Sequence, residues 1–188
     1  MENAIQREDV VADLLNEYEN THEFKIGGKY AIPADFAMIK DREKDGARAI
    51  TESFIKTLEE SGDRRKELAN RTIGEWLEQW RVMHKMLFSK ILVDCGKFRD
   101  RSIRFGGPED EELFRWPSPE KVNSELSILA KEISDGLSVE YTDLDSKCIF
   151  LANTHYQFIR IHPFLDGNGR IARALTDQLA IVLGLPPA

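Results

Sequence analysis

The chain has 188 residues, the size of one domain, and at that length about 70% of the unfolded surface can be buried, so a full hydrophobic core needs no disulfide or metal staple. Hydrophobic residues make up 41% and charged residues 31%, which excludes a disordered, collagen-like or disulfide-scaffold chain. With 26 basic against 33 acidic side chains, net −7, long-range electrostatics disfavour sequence-independent binding to DNA or RNA phosphates, so any phosphate chemistry must sit in one small, locally positive pocket.

In chain order, Met1 to Asp9 lacks the basic start and apolar core of a secretory signal, and no apolar run approaches the length of a membrane span. The expected location is cytoplasmic, with delivery by a secretion system left open. Val10, Val11, Leu14, Leu15 and Tyr18 recur at helical spacing and predict a first helix near residues 6 to 19. Lys25-Ile26-Gly27-Gly28-Lys29-Tyr30 reads as a tight turn; its Gly-Gly-Lys lacks the GxxxxGK[ST] spacing of a phosphate loop. Ala47 to Glu60 presents Ile50, Phe54, Thr57 and Leu58 on one face and predicts a second helix, with Gly62 as its stop. From Ile73 to about Val93, Trp76, Leu77, Trp80, Met83, Leu87 and Ile91 step by three or four residues, the pattern of a long core-facing helix whose tryptophans pack rather than stack on a ligand.

Gly96 to Pro119 is the strongly non-helical region. Gly106-Gly107-Pro108 separates alternating segments at Arg101 to Phe105 and Leu113 to Trp116, which predicts a β-hairpin. Pro119 then opens a helix through Ile133 with Val122, Leu126, Leu129 and Ile133 inward. Thr142-Asp143-Leu144-Asp145 has capping-box spacing ahead of a helix carrying Ile149, Phe150, Ala152, Tyr156, Phe158, Ile159 and Ile161, apolar on several faces and therefore expected at the centre. That helix must stop at His162, because Pro163 disfavours the α conformation before it. A final helix is expected from about Arg170 to Leu183, ended by Gly184 and Pro186. Cys95 and Cys148, without CxxC spacing, are expected as buried free thiols. The fold class is all-α, about six helices with one hairpin.

Arginine, glycine and a helix start concentrate once, at His162-Pro163-Phe164-Leu165-Asp166-Gly167-Asn168-Gly169-Arg170-Ile171-Ala172-Arg173. His162, at a helix end and held extended by Pro163, is the best general base in the chain. Asp166 offers a hard anionic oxygen suited to Mg²⁺ shared with phosphates. Gly167 and Gly169 permit close backbone approach, Asn168 is a favoured helix cap, and the bare amides of a helix N-terminus make an anion site. Arg170 and Arg173 share one face of the first turn, where two cations are unfavourable unless an anion sits between them; their placement points to a polyphosphate. A lone Gly-Asn-Gly is usually a turn and a lone arginine pair a solvated face; seven such residues within one helix–loop–helix junction make coincidence a poor account. His155, on the same helix as His162, reads as structural.

The segment resembles the signature HxFx[DE]GNGRxxR of the Fic family, matched at every defined position. Upstream, Gly96-Lys97-Phe98-Arg99, the hairpin and Trp116-Pro117-Ser118-Pro119-Glu120 resemble the family's flap and the helix after it. The resemblance covers about residues 73 to 188 and implies a Fic-like core over 71–188, with the flap at about 97–119 beside the active-site loop and the motif at 162–173, preceded by a helical extension over 1–70. It implies transfer of AMP from ATP to a Ser, Thr or Tyr hydroxyl of a target protein. His162 would take the hydroxyl proton and Asp166 would hold Mg²⁺ on the leaving phosphates. The Gly167 to Gly169 amides and Asn168 would cradle phosphate oxygens, and Arg170 and Arg173 would balance their charge. Ile103, Arg104, Phe105 and Gly106 would form a flap edge that aligns an extended target segment.

The chain departs from the family in two ways. No glutamate fits the self-inhibitory pattern [ST]xxxE[GN]; Thr57-Leu58-Glu59-Glu60-Ser61-Gly62 has the wrong register. A separate inhibitory protein supplying a glutamate to Arg173, unrestrained activity and an absent segment all stay open. The family core also continues with further helices beyond the point where this chain stops, so a core shortened at its C-terminus is expected. The alternatives are transfer of phosphate or another phosphate-containing group on the same fold, or a silent protein-binding module. A toxin or effector role fits the same residues.

Overall fold

The computed structural model describes residues 36–60, 63–88, 94–103 and 116–187. Among them are six helices and no strand: α1 (Phe36–Glu60), α2 (Arg64–Ala69), α3 (Ile73–Phe88), α4 (Pro119–Ser138), α5 (Leu144–Ile161) and α6 (Asn168–Val182). The all-α expectation stands. The helix expected at 6 to 19, the turn at 25 to 30, the stop at Gly62, residues 89 to 93 of the third expected helix and most of the hairpin, residues 104–115, lie outside the described residues. The hairpin's described flanks, Gly96–Ile103 and Trp116–Ser118, carry no strand.

Local chemistry sets most helix ends. Asp63 accepts the Lys66 amide at 3.1 Å and starts α2, a helix too short for its periodicity to announce. Thr72 and Glu75 form a reciprocal capping box, Thr72 N donating to Glu75 Oε2 at 2.7 Å and Glu75 N to Thr72 Oγ1 at 3.3 Å. This box opens α3. Before α5 the cap is Asp143 rather than Thr142: its Oδ1 accepts the Ser146 amide at 2.7 Å and its Oδ2 the Ser146 hydroxyl at 2.9 Å, because the extended backbone that a cap requires falls on Asp143.

The core is built on α3. Trp76 and Trp80 are fully buried; Trp80 meets Phe158 of α5 edge-on at 5.6 Å, and the Trp76 indole donates to Ser134 of α4 at 2.9 Å. Both tryptophans therefore pack, as expected. The backbone of α1 lies directly against α3: a Cβ on Gly46 would stand 2.7 Å from the Leu87 Cα. α5 and α6 pair along their length, and α4 packs on α2, α3 and α5.

Two expectations are corrected. α5 is not central, since it leaves Leu144, Ile149 and Tyr156 59%, 69% and 61% exposed; its apolar residues outnumber the positions that face α4 and α6. Neither thiol is buried: Cys95 is half-buried and Cys148 exposed, both free, because Cys148 falls on that same outward face. Among the described residues no helix is long and apolar enough to cross a membrane.

Candidate active site

The α5–α6 junction assembles the site. α5 ends at His162, which caps it in the left-handed conformation, φ 50° and ψ 61°, with its amide donating to Phe158 O at 3.0 Å. The extended conformation expected at His162 is corrected: the helix terminates through a left-handed C-cap, an unusual geometry for a non-glycine residue that surrounding contacts must sustain. The ring is held on two sides. Its Nδ1 lies 3.3 Å from Ile159 O, so Nδ1 carries the proton and donates, leaving the Nε2 lone pair available; the Trp116 ring covers it at 4.5 Å between centroids. Burial first, and the Arg99 cation second, hold the imidazole pKa below its ordinary 6.5, against opposing pulls from Ile159 O and Asp166. The imidazole is thus neutral at pH 7, as a proton acceptor must be.

Between the helices the loop closes on itself. Asn168 is 2% exposed and grips Phe164 twice, its Oδ1 accepting the Phe164 amide at 2.9 Å and its Nδ2 donating to Phe164 O at 2.8 Å. The role expected for Asn168 is therefore revised. The N-cap of α6 is Gly167, and the Asn168 side chain is spent on the loop, leaving only its backbone amide facing outward from the helix start. Gly167 sits at φ 77°, and a Cβ there would overlap Phe88 Cε2 and stand 2.5 Å from Phe88 Cζ, so this position admits no side chain. Gly169 differs: a Cβ would meet only Arg173 Nη1, at 3.7 Å. Glycine here keeps open the space above the first turn of α6.

That space suits an anion. The first helical bond of α6 runs from Ile171 N to Gly167 O at 3.0 Å, so the amides of Asn168 and Gly169 precede the helical ladder and stand at the positive end of the dipole. Arg173 is exposed beside them. Arg170 lies over the Phe88 ring at 4.5 Å and donates to Asp166 Oδ2 at 3.1 Å, while Asp166 Oδ1 accepts the Gly167 amide at 2.5 Å. Among the described residues no group of three or more His, Cys, Asp or Glu could hold a metal ion. A single oriented carboxylate nonetheless fits Mg²⁺, which is commonly held by one or two carboxylates together with substrate phosphates.

Two buried residues whose supporting roles the sequence pattern does not announce hold this loop. His84, 2% exposed on α3, accepts the Gly96 amide at Nδ1 (2.8 Å), so its Nε2 bears the proton and donates to Asp166 O at 3.1 Å. It stacks on Phe164 at 4.0 Å, and burial lowers its pKa to about 4. Arg99, 4% exposed, donates through Nε to His162 O at 2.7 Å. Periodicity marks His84 only as one more residue on the inner face of α3, and nothing local marks Arg99 as buried. His155 is structural as expected: its Nδ1 meets Thr176 Oγ1 at 3.1 Å, tying α5 to α6. Of the expected flap residues, Ile103 is half-buried in an irregular segment, and Arg104, Phe105 and Gly106 lie outside the described residues.

Residues 76–180 match the Fic/DOC family. The protein adenylyltransferase Fic of Drosophila willistoni is 33% identical over 95 residues, and that of Culex quinquefasciatus 35% identical over 95 residues; each alignment covers 50% of this chain and 17% of the relative. The chain thus spans about a sixth of the length of these curated relatives. A Fic domain-containing signalling protein from Bacteroides thetaiotaomicron superposes with a TM-score of 0.56 at 22% identity, covering 78% of this chain and 50% of that one, a likeness of fold. The family match extends over more than half of the sequence and includes the whole junction just described, and the chain belongs to the Fic/DOC family.

Proposed function

We propose that this chain transfers AMP from ATP to a hydroxyl of a target protein. The observation that carries the reading is the pairing, within one loop, of a neutral imidazole whose Nε2 is left with a lone pair and a helix start kept clear of side chains by Gly169. His162 Nε2 accepts the proton of a Ser, Thr or Tyr hydroxyl as its oxygen attacks the α-phosphorus. The bond from that phosphorus to the β-bridging oxygen breaks and pyrophosphate leaves, with the proton held on the imidazole. Of the amides expected to cradle phosphate, that of Gly167 is taken by Asp166 Oδ1, so those of Asn168 and Gly169 receive phosphate oxygens, and Arg173 faces the terminal phosphate. Asp166, oriented by Gly167 N and by Arg170, would hold Mg²⁺, which when bound neutralises charge on the leaving phosphates.

The partner is a protein segment laid along the flap edge that begins at Ile103. A glutamate supplied by a separate inhibitory protein would pair with the exposed Arg173 and exclude the terminal phosphate.

The test incubates the chain with Mg²⁺, a lysate and ATP labelled at the α- or, separately, the γ-phosphate, with His162→Ala alongside. Protein labelled from the α-position only, and lost in the variant, supports adenylyl transfer. Labelling from the γ-position only makes this a phosphoryl transferase, and labelling that survives His162→Ala removes the base.

A further inference from the structure

We propose that Arg99 is the positioning residue of the base: one buried residue holds every carbonyl of the left-handed turn that aims His162. Its activity measurement rests on the adenylyl-transfer reading, while its structural readouts are independent of that reading.

The turn spans Ile161, His162 and Pro163, where α5 leaves unsatisfied carbonyls. Arg99 takes all three. Its amide donates to Pro163 O at 2.8 Å, its Nε to His162 O at 2.7 Å and its Nη2 to Ile161 O at 3.3 Å. The same Nη2 donates to Pro117 O at 2.5 Å, and Nη1 to Arg101 O at 3.3 Å. Each of these guanidinium bonds ends on a backbone carbonyl. A cation 4% exposed is costly to bury, and burial lowers the pKa of this guanidinium from its ordinary value. What offsets the cost is the negative end of the α5 dipole together with the four charge-assisted bonds of the guanidinium, a use for which the planar fork of arginine is suited.

The consequence for the base is geometric. His162 is the one non-glycine residue at positive φ among the described residues, and its side-chain direction follows from that φ. Pro117 O, held by the same guanidinium, adjoins Trp116, whose ring lies against the imidazole. Arg99 therefore sets both the backbone under His162 and the wall beside it, fixing where Nε2 points. Gln at 99 offers two side-chain donors in place of five and spans fewer of these carbonyls; Lys keeps the charge and part of the reach.

The test uses the ¹⁵N-labelled full chain as wild type, Arg99→Gln and Arg99→Lys, each checked for cooperative unfolding. Three readouts follow: affinity for Mg-ATP, rate of α-phosphate labelling, and the His162 ring nitrogen resonances. The expected result is Arg99→Gln with unchanged ATP affinity, labelling slowed about 10²-fold, loss of the single Nδ1–H tautomer of His162, and partial recovery in Arg99→Lys. Folded Arg99→Gln with wild-type labelling and ring resonances overturns the proposal. So does a fall in ATP affinity that matches the fall in labelling, which marks a general scaffold role. If Arg99→Gln does not fold, the wild type decides: slowed rotation of the Arg99 guanidinium with one His162 tautomer supports the assignment, and averaged Nη resonances overturn it. Wild type with no labelling refutes adenylyl transfer, and the ring and guanidinium resonances then judge Arg99 alone.

Discussion

The two glycines of the loop are expected to respond to the same substitution in opposite ways. Gly167→Ala drives a Cβ into the edge of the Phe88 ring, 2.5 Å from its Cζ, at φ 77°. The left-handed conformation costs an alanine about 1–2 kcal/mol, and displacing a buried ring adds about 1–3 kcal/mol, for a total loss of about 2–5 kcal/mol. Gly169→Ala meets only the mobile end of Arg173 at 3.7 Å in a helical position, where alanine outperforms glycine by up to about 1 kcal/mol. Urea denaturation of the two variants measures both. ATP binding is expected to reverse the order of harm: Gly169→Ala leaves the fold intact while its new methyl group occupies the space above the helix amides, so affinity falls without a fall in stability. A double-mutant cycle with Phe88→Leu isolates the clash, which should appear as a coupling of at least about 1 kcal/mol. Equal stabilities for the two variants, or zero coupling to Phe88, would refute the account of why each glycine is there.

Asn168→Ala strips both bonds to Phe164 and leaves a buried amide and carbonyl unpaired, an expected loss of about 2–4 kcal/mol by thermal or chemical denaturation. Arg173→Ala, at an exposed position, should leave stability within about 0.5 kcal/mol of wild type and weaken Mg-ATP binding about 10- to 100-fold by calorimetry. His84 titrates at about 4 in the folded protein against 6.5 unfolded, so between those values the unfolded chain binds the extra proton. Its contribution is complete above about pH 6.5 and is lost as pH falls toward 4, worth about 3 kcal/mol. An NMR titration that places His84 near 6.5 contradicts this.

The motif from His162 to Arg173 was legible because its chemistry is local: a proline ends one helix, glycines open the next, and two arginines at one helix start imply an anion. What supports the motif was not legible. His84 lies 82 residues from Asp166 and Arg99 63 from His162; in sequence the first is a core-face histidine and the second the end of the Gly96-Lys97-Phe98-Arg99 segment that resembles the flap, and nothing local ties either to the motif. The left-handed turn at His162 escaped for the same reason, since its sustaining bonds come from elsewhere in the chain. Asn168 shows a different limit: its residue type fits a cap, a phosphate ligand or a loop clasp, and only the distance to Phe164 selects the third. α1 begins at Phe36 and not at Ala47; Lys40 to Gly46 offers charge rather than apolar periodicity, so the sequence pattern did not announce its first turns.

The contact at Gly46 makes α1 a lever on the loop before α6. Its backbone bears on Met86 and Leu87, in the last turn of α3, and the next residue, Phe88, is the ring on which Gly167 and Arg170 both rest. A methyl group at 46 has no direction in which to move except against that turn. A side chain placed at 46 is therefore expected to shift the Phe88 ring beneath Gly167 and Arg170 without touching any residue of the signature.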